Sequence, residues 1–204
     1  MSIKVMGKGH LKMPPNQVTF HISLTAASPK YQKALSEIND KSQRLIDAFL
    51  EIGFTEDDLK TDSFFVNRET TDLETVFKSY QSVSVVMDFN HELMNQSFEA
   101  INKSSIEANF DLSFSLKDEK NVQAKLFKLA RDNAYEKAKM LADIEGVRLG
   151  DVIQIDALDF QAQFKSNTML HRISDMNMSP NITPHEIDSE VTIFYEWRIK
   201  ERGA

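Results

Sequence analysis

Residues 110–117 read Phe-Asp-Leu-Ser-Phe-Ser-Leu-Lys, apolar and polar side chains in strict alternation. A period of two marks a strand with one face in a core and the other in water. The pattern recurs. Val18, Phe20, Ile22 and Leu24 alternate with Thr19, His21, Ser23 and Thr25. Val83, Val85, Met87 and Phe89 face away from Ser82, Ser84 and Asp88, within a strand expected over Tyr80–Phe89. Val191, Ile193, Tyr195, Trp197 and Ile199 close the series. One-sided strands suit antiparallel sheets covered on one face. A doubly wound parallel sheet needs strands buried on both faces, so that architecture is excluded.

Helical signals lie between the strands. Ser28-Pro29 predicts a helix start, a serine cap with proline at the first position. Tyr31, Ala34, Leu35, Ile38, Leu45, Phe49 and Ile52 follow at helical spacing, and Gly53 closes the run. Thr55-Glu56-Asp57-Asp58 predicts a short capped turn before a strand over Thr61–Thr71. Asn90 caps a second helix through Ile101, and Asp118 opens a third that reaches about Glu145, with Phe127, Ala130, Ala134, Ala138 and Leu141 as its apolar stripe. The alanines are small enough to let a sheet approach closely. Gly146 ends this helix, and Val152–Leu158 makes a strand. At the start, Ile3–Met13, the turn Pro14-Pro15 and Val18–Leu24 read as a hairpin. Residues 160–186 are polar, carry two prolines and show no periodicity.

The chain has 204 residues, no cysteine and a formal net charge of −7. That length can bury a core without metal or disulfide staples. Zero cysteines excludes disulfides, thiolate metal sites and cysteine nucleophiles. The acidic balance argues against general nucleic-acid binding, which needs a basic face. No run approaches the apolar length of a membrane span, and lysines at 4, 8 and 12 interrupt the first segment. The expected location is therefore cytoplasmic.

Gly7-Lys8-Gly9 lacks the spacing and context of a phosphate loop, so a bulge or close backbone approach is the better reading. His91-Glu92 has Asn95 where a zinc-protease helix needs its second histidine. Glu56, Asp57, Asp58 and Asp62 lack calcium-loop spacing and suit a first helical turn. Lys117, Lys120, Lys125, Lys128, Arg131, Lys137 and Lys139 read as a solvated helix face, with Lys128 and Asp132 paired at i,i+4. Met169, His171, Met176 and Met178 form the chain's only soft-ligand cluster, of a type that suits copper(I). Methionines also pack against neighbouring subunits, which is the plainer reading. His21 falls on a polar strand face and reads as solvated, although triads assemble in space and escape sequence spacing. No catalytic residue, cofactor or metal is expected.

Several stretches together resemble the SIMPL-domain family of bacterial proteins. They are Val5-Met6-Gly7-Lys8-Gly9 before a proline turn, Leu59–Val66, and Phe110–Asp118. The most specific is Ala130-Arg131-Asp132-Asn133-Ala134 with Lys137-Ala138, Leu141-Ala142, Gly146, Leu149-Gly150 and Val152. Pro184-His185-Glu186-Ile187 with Val191 and Tyr195 resembles the final strand. The chain departs from the pattern at Asn16, where an acidic residue usually follows proline, at His185, where glycine is common, and in lacking the export signal of many members. The resemblance implies an α+β fold: antiparallel sheets with helices on one face, in two intertwined lobes of one domain over 1–204. The lobes are expected at about 1–90 with the C-terminal strand and about 91–186. The resemblance also implies self-assembly into homo-oligomers, a link to stress defence and no established enzyme activity. The expectation is a non-catalytic, self-associating module joined through strand edges, the segment 160–186, or both. The alternative is a small-molecule binder or enzyme with a cryptic site between the lobes.

Overall fold

The structure, a computed structural model, describes residues 1–70, 74–157, 165–172 and 182–201, with the backbone alone described over 165–172. The elements in order are β1 (Ser2–Met13), β2 (Gln17–Ser28), α1 (Tyr31–Glu51), β3 (Leu59–Thr70), β4 (Thr75–Asp88), α2 (His91–Lys103), β5 (Ala108–Ser115), α3 (Glu119–Ile144), β6 (Val147–Asp156), β7 (Lys165–Arg172) and β8 (Ile187–Glu201). They build two sheets, ordered β1-β8-β6 and β3-β4-β2-β5-β7. The expected α+β class is what the chain adopts.

The chain divides into two compact units. Unit 1 holds Met1–Pro14, Leu116–Lys165 and His185–Ala204; unit 2 holds Pro15–Ser115 and Ser166–Pro184. These boundaries differ from lobes at about 1–90 with the C-terminal strand and about 91–186: β1 and β8 do share a unit, but α3 and β6 join them there, while β2 to β4 stay with α2 and β5 in the other.

In unit 2, the apolar faces of β2, β4 and β5 form a core with α1 and α2. Phe20, Phe98 and Phe110 meet with ring centroids 5.2 to 6.3 Å apart. Each fully buried side chain of this size contributes roughly 1.5–3 kcal/mol by leaving water. The end of α1 is set locally. Gly53 has φ +97°, Gly53 N–H donates to the Leu50 carbonyl and Phe54 N–H to that of Phe49. Phe54 then stacks edge-on against Phe49 at 5.4 Å, the hydrophobic contact that accompanies this C-terminal motif. Asn90 caps α2 by accepting from Glu92 and Leu93 N–H.

In unit 1, α3 covers one face of the three-stranded sheet. Its buried residues are Val122, Leu126, Ala130, Ala134, Ala138 and Ala142, a row four residues apart. This shifts the expected stripe. Leu141 is 44 % exposed and Phe127 packs only partly, because an i+4 row, not the wider face, lies along the sheet.

Three expectations about local structure are corrected. β1 and β2 are not a hairpin: β1 pairs with β8 from Ser2↔Arg198 to Met13↔Ile187, and β2 lies between β4 and β5. A two-residue hairpin turn needs positive φ, which proline forbids, so Pro14-Pro15 carries the chain onward. Ser28 ends β2, and α1 starts at Tyr31 after Lys30; Ser28 Oγ accepts from Lys30 N–H without capping the helix. Within 160–186, β7 forms a strand beside β5.

Candidate functional site

The Gly7-Lys8-Gly9 segment is a packing device. A Cβ on Gly7 would lie 2.0 Å from the Ala130 carbonyl oxygen, and one on Gly9 2.1 Å from that of Leu126. The two glycines face α3, and the small residues Ala130 and Ala134 face them, so helix and strand backbones touch. This is the close approach expected of glycines two apart in a strand. Two side chains of α3 then serve the strand's free edge. Asn133 Oδ1 accepts from Lys8 N–H at 3.1 Å, and Lys137 Nζ donates to the Met6 carbonyl at 3.0 Å.

Asp58 completes a capping box: its carboxylate accepts from Thr55 N–H at 2.8 Å and from the Thr55 hydroxyl at 2.7 Å. Those bonds hold the Asp58 carboxyl below its ordinary value. Asp57 lies 3.6 Å from Lys60, and Asp62 accepts from Ser84 Oγ at 2.8 Å. Asp57, Asp58 and Asp62 thus each turn to a different partner and do not converge on one point. His91 stacks edge-on against Phe89. Asp132 pairs with its neighbour Arg131 at 2.8 Å, not with Lys128, and Arg131 lies over the Tyr135 ring. Met176 and Met178 lie outside the described residues. Met169 and His171 fall on β7, where the side chains lie outside the description.

His21 is half-buried and its Nε2 stands 3.1 Å from Ser113 Oγ. Asp111 and Ser84 are its direct cross-strand neighbours on β5 and β4. The row unites an imidazole with a carboxylate and hydroxyls. Its peptide N–H groups lie in the plane of central strands and pair within the sheet, so they are not aimed at an oxyanion above the face.

On the sheet face opposite α3, Met6 and Phe194 stand directly across from each other and floor a groove of about 370 Å³. Lys4 pairs with Glu196 at 3.2 Å, and Gln154 donates to Asp156 at 2.7 Å. Hydrogen bonding from Ser2, then from Lys4, holds the Glu196 carboxyl below its usual range.

The strand edges differ sharply. β1 is closed at Met6–Lys8 by the two α3 side chains. β6 has register shifts between Leu149 and Val152 and between Val152 and Gln154, bulges of the kind that turn an edge away from pairing. β3 has one shift, between Thr61 and Ser63. After it, Ser63–Thr70 pairs residue for residue with β4, while its other side has no strand neighbour among the described residues. No residue of β3 is buried, and Phe64 and Phe65 are 46 % and 47 % exposed.

Residues 3–197 match the SIMPL family, whose description is proteins of unknown function (DUF541). The chain belongs to the SIMPL family. No curated protein matches it. For this SIMPL domain, the glycines of β1 and the Ala-Arg-Asp-Asn-Ala stretch of α3 form one contact. The alanines admit the glycines, and Asn133 bonds the intervening lysine. Of the two residues that depart from the family pattern, Asn16 works through its backbone: its N–H donates to the Ser115 carbonyl and its carbonyl accepts from Phe89 N–H. His185 is exposed.

Sequence spacing did not disclose three features of this SIMPL chain: the roles of Asn133 and Lys137, the open β3 edge, and a polar groove beside α1. Asn133 and Lys137 reach β1 across 125 and 131 positions, and the other two follow from β3 ending the sheet's strand order. Only the adjacent Phe64-Phe65, one phenylalanine on each face of a strand, carried a signal, since alternation should have left one of them polar.

Proposed function

We propose that this SIMPL domain is a non-catalytic module that self-associates through antiparallel pairing of β3 with β3 of a second copy. The observation that carries this reading is the run Ser63–Thr70, regularly paired on one side, without a strand neighbour on the other among the described residues, and containing the half-exposed Phe64 and Phe65. Unpaired strand edges are templates for another chain. A two-fold axis normal to the sheet would bring identical edges together and place Phe65 of both copies, on the sheet face away from α1, beside the seam. Lys60, Asp62, Arg68 and Glu69 supply both signs of charge along the strand, so an antiparallel copy does not meet a single-sign repulsion. Light scattering across a concentration series tests it. A dimer or larger species that Phe65→Lys converts to monomer is the expected result. A monomer at all concentrations, or an oligomer indifferent to Phe65→Lys, overturns it. A cytoplasmic location and a stress-related role belong to the same proposal. Cell fractionation tests the first, and peroxide survival of a deletion strain tests the second.

A further inference from the structure

The helix layer of unit 2 leaves a strip of its sheet uncovered. α1 packs on β2 and β4. Beside it, a groove of about 440 Å³ is lined by Leu35, Asn39, Ser42 and Gln43 of α1, Thr61 and Phe64 of β3, and Gln81 of β4. The α1 residues fall at i, i+4, i+7 and i+8, one helix face. Phe64 stands directly opposite Gln81 in the ladder, so both lie on the same sheet face.

No side chain lining this groove ionises. Its polar members are two hydroxyls and three carboxamides. Gln81 Nε2 donates to Ser42 Oγ at 3.1 Å and to Thr61 Oγ1 at 3.4 Å, tying the helix wall to the strand wall. That leaves the Gln81 carbonyl to accept and both hydroxyl hydrogens to be donated. Gln43 gives one amide N–H to Asp47 at 2.9 Å, which leaves its second N–H as a donor and its carbonyl as an acceptor. Asn39 supplies two donors and an acceptor.

No lining side chain carries a charge, so the groove offers nothing to hold a charged ligand and its chemistry suits a neutral one. Such a ligand offers several donor–acceptor groups at short spacing, to meet alternating amides and hydroxyls. It also has an apolar face to lie against Phe64. Vicinal hydroxyls on a ring with a C–H face satisfy all three conditions. We propose that the groove between α1 and β3 binds a neutral saccharide, its ring face on Phe64 and its hydroxyls on Asn39, Gln43 and Gln81. This is a separate property from edge pairing, since Asn39 and Gln43 lie on α1, away from the outer edge of β3.

The experiment is a titration of isotope-labelled protein with maltose, cellobiose and N-acetylglucosamine, followed by the side-chain amide signals of Asn39, Gln43 and Gln81. Saturable shifts at those amides with at least one sugar are expected. Asn39→Leu, an exposed helix position, should weaken that sugar about tenfold while leaving the oligomeric state unchanged. Gln81→Leu should weaken it further by removing the tie between the walls. No shifts with any of the three at millimolar sugar, or shifts that persist unchanged in both variants, overturn the proposal. Loss of the oligomer in Phe65→Lys with sugar binding retained separates this inference from self-association.

Discussion

The two units cover their sheets in opposite ways. In unit 2 the space between sheet and helices is filled by large side chains: Phe20, Phe49, Phe98, Phe110, Leu45 and Met94. In unit 1 α3 rests on the backbone of β1 through Gly7, Gly9 and a row of alanines, and large side chains, Tyr195 and Trp197 among them, fill only the space over β8. Both solutions remove apolar surface from water. They fail differently. A core of large side chains is damaged by making residues smaller, and a backbone-to-backbone contact by making them larger.

Phe20→Ala should produce the largest loss, about 3–5 kcal/mol, read by denaturant titration. It removes a fully buried ring and its contacts with Phe98 and Phe110. Gly7→Ala should follow at about 3 kcal/mol, at the upper end of overpacking costs, because the obstacle is the Ala130 carbonyl. The sharper test of the comparison is Gly7→Ala combined with Ala134→Gly. The second change removes the Ala134 Cβ but not that carbonyl, so it should give no rescue. Restored stability would show that side chains, not backbones, set the contact.

Smaller effects separate the units further. Ser79 is fully buried in β4 with no hydrogen-bond partner among the described residues, so Ser79→Ala should stabilise unit 2 by up to about 1 kcal/mol. An unchanged or lowered stability would reveal a partner for that hydroxyl.

The smallest effect concerns acid. Asp58 in unit 2 is held below its ordinary value chiefly by the backbone N–H and hydroxyl of Thr55. Asp188 in unit 1 is pushed up by partial desolvation, but the His10 hydrogen bond and the charges of His10 and Lys12 outweigh this and lower it. For both, the folded value lies below the unfolded one. Their stabilisation is therefore complete above the ordinary carboxylate range and lost as pH falls through the folded value. Raising salt should shift the Asp188 titration upward and leave Asp58 nearly unmoved, since charge pairs are screened and a local backbone hydrogen bond is not. Carboxyl chemical shifts at two salt concentrations check this.

What was legible in the residues was local. The caps at Asn90 and Asp118, the positive-φ glycines 53 and 146, and the buried faces of β2, β4, β5 and β8 depend on neighbours within a few positions. Propensity and periodicity act over that range, so sequence determines them. β7, Lys-Ser-Asn-Thr-Met-Leu-His-Arg, has no apolar alternation to show, and its strand exists through its place beside β5. The choice of β8 as the partner of β1, the meeting of Gly7 with Ala130, the open edge of β3 and the groove floored by Gln81 and Phe64 were decided only by the tertiary structure. Each brings together residues separated by many positions, and the free energy that selects them comes from packing and hydrogen bonding across that distance, which no single segment carries.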